Sequence, residues 1–504
     1  MLWLDALLAA FALFLVRHVL KPKQSLPFPP GPKPVPIIGN FLDVPDEKSW
    51  ETFSKWRKQY GDIISIEVLG RRIVILNSSK HAIELLEKRS LKSSNRPNFV
   101  LAGEMIGWKN TLVISQYGDR FKEFRKKVHR VIGTRSILET YYHHVERQGY
   151  RFLKRLLDAP EDFADHVRWM AGAIILVISH GYEVQDEGDP YLATAEDALS
   201  YFSLTTSAEP FLVDTLPFLR YLPSWFPGTS FHKIAKDGHR ALEEMASKPY
   251  EAVKAQVAEG RALPSFTAEL IGAKTLSPEE EHVIKWAGHT LFGAGSDTTV
   301  SAGKVFFLLM TLYPEVQSKA QTEIDAVVGL ERLPTIQDRE QLPYINALTV
   351  ELLRWFTIAP LGITHVTTVD DVYEGYFIPK GSYIFPNMWQ MMHDPDVYPD
   401  PFLFKPERFA PGEGQEPEAD PHNGIFGFGR RQCPGIAFAE MAVFAQVSMV
   451  LAVFNISKAI DDGKEIEPSQ GRTTGTISHP LPFRCSIKPR SQKAVGLIQE
   501  ELVH

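Results

Sequence analysis

The chain has 504 residues, 44% of them apolar and 23% charged, an ordinary composition for a globular protein with a large core. Its net charge of −7 excludes the basic excess that marks nucleic-acid-binding proteins. Only two cysteines occur, Cys433 and Cys485, which argues against a disulfide-rich secreted protein and for a reducing compartment.

Residues 2–20 are almost wholly apolar, with Asp5 the one acidic interruption. As a helix they would span about 28 Å, one hydrocarbon thickness. Arg17, His18, Lys21 and Lys23 follow, and basic flanks stay cytoplasmic. No small-residue cleavage site succeeds the run, so residues 1–20 are expected to be a retained transmembrane signal anchor. Residues 21–38 carry Pro27, Pro29, Pro30, Pro32, Pro34 and Pro36, which predicts an extended, semi-rigid strut. No second linker or repeat follows, so residues 39–504 read as a single catalytic domain.

Residues 63–69 and 72–76 flank Gly70 and predict a β-hairpin. From Ser79 to Ala326 the pattern is mainly helical. Ser277-Pro278-Glu279-Glu280 matches an N-cap, a proline at the first helical position and a capping-box glutamate. With no further proline before Pro314, the implied helix runs roughly 35 residues, or about 50 Å. Its centre, Gly293-Ala294-Gly295-Ser296-Asp297-Thr298-Thr299, holds two glycines that cost about 1 kcal/mol each. It also holds an acid that needs a partner once buried. A functional kink is the expected reason. Residues 366–384 turn strand-like, a last helix is expected to start near Cys433, and the tail from Gly471 reads as loops and short strands. The fold class is therefore mainly α with small β-sheets.

The segment Phe426-Gly427-Phe428-Gly429-Arg430-Arg431-Gln432-Cys433-Pro434-Gly435 is a glycine-rich loop ending at a cysteine, with Pro434 at a plausible first helical position. A sulfur at a helix N-terminus meets backbone N–H groups and the positive end of the dipole, which favour thiolate. Gly429 and Gly435 would let a flat ligand approach the backbone, and Arg431 supplies a cation for an anionic group on it. A lone cysteine is more often a small buried hydrophobe.

The loop resembles the haem-binding loop of the cytochrome P-450 family, whose pattern F-x-x-G-x-R-x-C-x-G is met by Phe426, Gly429, Arg431, Cys433 and Gly435. The resemblance implies haem b with Cys433 as axial ligand and Arg431 on a propionate. Glu351-Leu352-Leu353-Arg354 and Pro406-Glu407-Arg408-Phe409 resemble the family's buried ionic network. Ala294 to Thr299 resembles its oxygen-activation segment, which implies a proton relay at Asp297 and a dioxygen-holding hydroxyl at Thr298; both could instead cap backbone groups at the kink. Tyr117 to Arg125 resembles its W-x-x-x-R helix, with Phe121 where tryptophan is usual, so only Arg125 carries over to a propionate. His365 stands where the family puts a basic group facing the second propionate. The fold implied is that of microsomal members, with an N-terminal transmembrane helix, in a texture similar to fungal enzymes of secondary metabolism or detoxification.

The implied reaction inserts one atom of O2 into a C–H or C=C bond and reduces the other to water. No flavin or nicotinamide fingerprint occurs, so electrons are expected from a separate NADPH-cytochrome reductase, with cytochrome b5 a second candidate donor. Arg120, Lys122, Arg125, Lys126, Lys127 and Arg130, extended by Arg430, form a candidate docking face; the alternative is an ordinary solvated helix face. Expected pocket segments are 98–116, 202–231, Phe292 with Ala294, 360–364 and 473–477. They are poor in charge and point to a bulky, apolar small molecule. Phe218, Trp225 and Phe226 could touch a bilayer. The expected location is the endoplasmic reticulum membrane, single-pass with a cytosolic body, leaving the sequons at Asn77 and Asn455 unmodified. Two rivals stand beside this reading: a haem-thiolate isomerase or dehydratase that needs no reductase, and a haem- or lipid-binding protein without turnover.

Overall fold

The computed structural model describes residues 26–500 except 46, 209–210, 273–274, 411 and 413–415. The expected anchor, residues 1–20, and the first residues of the strut lie outside the described residues.

Helices dominate. The longer ones are α1 (Ser49–Tyr60), α2 (Asp119–Ile132), α3 (Tyr142–Asp158), α4 (Phe163–His180), α5 (Pro190–Thr205), α6 (Phe231–Ala258), α7 (Pro278–Leu312), α8 (Pro314–Val327), α9 (Pro343–Phe356) and α10 (Ile436–Val453). Pro190, Pro278, Pro314 and Pro343 each open a helix, where a missing N–H costs nothing and φ is already set. The capping box at α7 is formed: Glu280 N donates to Ser277 Oγ, and Glu280 Oε2 accepts from Ser277 N.

A four-stranded sheet has the order β1 (Ile63–Val68), β2 (Arg71–Leu76), β6 (Tyr383–Pro386), β3 (His365–Val366), with β6 parallel to β2. Three two-stranded sheets complete the β structure: β4 (Asp371–Tyr373) with β5 (Tyr376–Ile378), β8 (Ile460–Asp461) with β9 (Lys464–Glu465), and β7 (Phe454–Lys458) with β10 (Cys485–Pro489). The tight hairpins turn at Leu69-Gly70, Glu374-Gly375 and Asp462-Gly463. Both residues of each pair have positive φ, the backbone that matches strand twist in a two-residue turn.

The central helix α7 lies between α4 and α10. A Cβ on Gly295 would stand 2.7 Å from Ile175 of α4, and one on Gly303 would stand 2.6 Å from Val167 of α4 and from Gln446 of α10. Gly295 is thus required for close helix packing, a different reason from the kink expected of it, and α7 is unbroken throughout. The helix α10 is apolar enough to cross a membrane by composition, yet it is mostly buried and belongs to the core. The tail also holds a helix, Gln492–Glu500, that its sequence pattern had not suggested.

Buried ions stitch α9 to the loop before the cysteine. Arg354 donates to both carboxylate oxygens of Glu351 at 2.6 and 2.9 Å, and Arg408 donates to Glu351 at 3.3 Å, all three being almost fully buried. Arg354 also donates to Met392 O and Pro401 O, and Arg408 reaches Glu418, so every charge has several partners.

Candidate functional site

The cysteine loop folds back on itself. Gly427 and Gly429 have positive φ, and a Cβ on Gly429 would meet Leu86 O at 2.5 Å. Gly429 is therefore fixed by its own backbone packing, not by room for a ligand. Cys433 N donates to Phe426 O at 2.8 Å, and the Phe426 ring stacks on His422.

The helix after the cysteine, α10, begins at Ile436, with Gly435 before it, so Pro434 is not its first residue. Pro434 and Gly435 form a turn instead, and Gly435 is the residue that caps the helix. The sulfur consequently sees one backbone donor, Gly435 N, at 3.4 Å. A Cβ on Gly435 would lie 3.4 Å from Ile132 and 3.8 Å from that sulfur. Burial pushes the Cys433 thiol up, while the Gly435 N–H and Arg125 pull it down. Cys433 is nonetheless accessible at its surface. Desolvation and accessibility hold together if the sulfur, deep in the domain, faces an internal opening. Cys485 differs: it lies in β10 opposite Lys458, and burial pushes its thiol up to about 12 against an opposing hydrogen bond with Thr311.

Beside the cysteine stands a cluster of buried cations. Arg431 donates to Ser94 O and Ser115 O, both at 2.7 Å; Arg96 donates to Val113 O, Ile363 O and Thr364 O; Arg125 donates to Gln432 O. All these partners are neutral carbonyls. Burial lowers all three guanidiniums, Arg431 to about 9, with Arg431 adding repulsion to Arg96 and Arg125 adding repulsion to Arg431. His365 Nδ1 contacts Ser93 O at 2.9 Å, and burial, Arg96 and Arg431 hold its imidazole well below the ordinary range. No carboxylate pairs with these groups among the described residues.

On α7, Ala294 is exposed although Gly293 and Gly295 beside it are buried, and the Thr298 hydroxyl one turn on is also exposed. In the middle of a helix whose flanking turns are buried, this exposure fits a space inside the domain on that face. Thr298 Oγ1 donates to Ala294 O at 2.8 Å, the backbone bond its sequence left open. Asp297 pairs with His479 instead of the backbone.

A cleft lies between the four-stranded sheet and the segments before α2 and after α5. With the adjoining smaller cleft it gathers Phe99, Thr205, Leu361, Thr364 and Thr476, from four of the five expected pocket segments. Phe292 and Ala294 do not line it. It carries more charge than expected: Arg71 donates to Tyr383 Oη, and Asp214 accepts from Leu101 N at 3.0 Å.

Comparison with known proteins decides the family. The family model described as Cytochrome P450 matches residues 29–486. The chain belongs to the cytochrome P450 family. Its relatives include Cytochrome P450 monooxygenase 208 of Postia placenta, 47% identical over 98% of this chain and 97% of the relative. Cytochrome P450 monooxygenase claR of Ampulloclitocybe clavipes is 46% identical over 98% and 92%, and ppsD of Aspergillus oryzae is 40% identical over 96% and 93%. This P450 is accordingly a haem-thiolate monooxygenase that uses O2, a small-molecule substrate and electrons from a reductase.

The residues present fit haem b. Desolvated guanidiniums held only by carbonyls suit a buried anion, which two propionates would supply. An accessible sulfur stands in the same region. Arg96 escaped the sequence reading, its only signal being a lone arginine before Pro97. His479 escaped it too, in a tail with no helical or metal-ligand spacing.

Proposed function

We propose that Cys433 is the axial haem ligand and that Arg125, Arg431 and His365, joined by Arg96, hold the propionates. The observation that carries this is the cation cluster without a carboxylate, built on the same loop as the accessible sulfur. Haem, when bound, supplies reductive activation of O2 and insertion of one oxygen atom into a C–H or C=C bond. Phe426 and Gly435 support the sulfur: the first ties down the cysteine backbone through its carbonyl, and the second directs an N–H at Sγ. Asp297 moves protons toward the internal space, and Thr298 presents its hydroxyl there.

Residues 1–20 form a membrane anchor, 21–38 the strut and 39–504 the catalytic domain, in the endoplasmic reticulum membrane with the body cytosolic. The exposed Phe218, Tyr221 and Trp225 support a membrane-facing surface beside the cleft. NADPH-cytochrome reductase docks on α2, where Arg120, Lys122, Lys126 and Arg130 are exposed. The substrate is a bulky apolar small molecule, of the kind met in secondary metabolism or detoxification, admitted through a cleft with a polar rim at Arg71 and Asp214. Reconstitution with and without the reductase tests this: dependence of product on reductase and NADPH supports it. Turnover without them would favour an isomerase or dehydratase.

A further inference from the structure

No sequence motif announces the ion pair between Asp297 and His479. His479 Nε2 stands 3.1 Å from Asp297 Oδ1, and the side chains keep 23% and 21% of their surface exposed. The segment bearing His479 is fastened to the same helix: Ser301 Oγ, one turn beyond Asp297, donates to Ser478 O at 2.7 Å. Ser478 N donates to Ile358 O at 2.8 Å, and His479 N donates to Thr473 Oγ1 at 2.9 Å. The imidazole is thus aimed at the acid by backbone bonds on both sides of it. Its other nitrogen, Nδ1, is buried and has no hydrogen-bond partner among the described residues. A buried polar atom of this kind ordinarily binds a water molecule, which would join the ring to solvent. The remaining charges on this side are Lys304 of α7 and Arg168, Asp165 and Glu196 of α4 and α5. Arg168 pairs with Asp165 and Glu196, and Lys304 feels the charge of Asp297 without an ion pair to it, so among the described residues His479 is the ion-pair partner of Asp297.

We propose that His479 is the positioning residue of Asp297 and the group that hands it protons, an inference that rests on the role of Asp297 given above. The Nε2–H bond of the imidazolium breaks as an O–H bond forms at Asp297 Oδ1. The neutral imidazole keeps its Nδ1–H, and its bare Nε2 regains a proton from a solvent hydronium ion, which reaches the ring through the part of its surface that stays exposed. The pair also holds the carboxylate beside Thr298 without tying it to the backbone.

The test uses the full-length haem-loaded protein with its reductase, comparing wild type, His479→Gln, Asp297→Asn and the double variant. Glutamine keeps a hydrogen-bond donor but carries no transferable proton. NADPH oxidation by His479→Gln is expected to slow by roughly ten-fold or more, with a larger solvent isotope effect than wild type. Haem content and the reduced, carbon-monoxide-bound spectrum stay unchanged, and the double variant is no slower than Asp297→Asn. A crystal structure of the wild type keeps His479 within hydrogen-bond reach of Asp297. A wild-type rate and isotope effect in His479→Gln, with Asp297→Asn impaired, overturns the role of His479 alone. An unimpaired Asp297→Asn overturns the reading of Asp297 beneath it.

Discussion

The guanidinium of Arg431 lies over the ring of Phe121, its central carbon 4.0 Å from the centroid. Phe121 is 2% exposed and also packs on Tyr117. Where the family usually has tryptophan, this chain thus supplies an aromatic face to a cation without an N–H donor. Phe121→Leu removes a buried cation–π contact worth about 1–2 kcal/mol. The variant is expected to lose haem to an acceptor globin several-fold faster than wild type. Arg431→Leu is expected to lose it faster still, because an anion is then left short of its counter-charge. Equal rates in all three proteins would remove Arg431 from the haem site.

Glu351 carries the ionic network beneath the cysteine loop. Glu351→Gln leaves Arg354 and Arg408 buried with one carboxylate fewer, a loss of about 3–5 kcal/mol. Expression without haem incorporation, or a thermal midpoint lowered by many degrees in any holoprotein recovered, is the expected result. Wild-type thermal stability would show the network to be dispensable.

Asp214 links the cleft to pH. Burial pushes its carboxyl up to about 6, and the N–H groups of Leu101 and Val100 oppose that only in part. The folded chain therefore holds this proton more tightly than the unfolded chain, whose carboxyl titrates near 3.8. The stability it contributes is full below about pH 4 and is lost as pH rises to about 6. Denaturant unfolding between those values should show a downward step that Asp214→Asn lacks. An identical pH dependence in the variant would contradict the burial of this carboxyl.

The two sequons separate topology from access. Asn77 is fully buried and bonded to Phe53 O and Asn387, whereas Asn455 is exposed on β7. With a cytosolic body, Asn455 stays unmodified in the native host even though it is accessible. Glycan at Asn455 would reverse the orientation; the unmodified state of Asn77 carries no such information.

What could be read from the chain follows the range of the interactions. The capping box of α7, its length, and the hairpin at Gly70 are decided by residues a few positions apart, and each is found where expected. The cysteine loop was legible because Phe426 to Gly435 lie together. The helix expected near Cys433 starts at Ile436, and Pro434 lies in the turn before it instead of opening it. Gly295 was read chemically, although Ile175 of a different helix explains it. Arg96 and His479 could not be found from spacing at all. Their neighbours, Arg431 and Asp297, are remote in the chain and meet them only after α7, the sheet and the tail have packed.

The central claim is thiolate ligation by Cys433. Its most direct test is the absorption spectrum of the reduced, carbon-monoxide-bound protein, with Cys433→Ser and Cys485→Ser as controls. The account predicts a strongly red-shifted Soret band in wild type and in Cys485→Ser that is absent from Cys433→Ser. A histidine-type spectrum in folded wild type, or a red-shifted band that survives in Cys433→Ser, would contradict it.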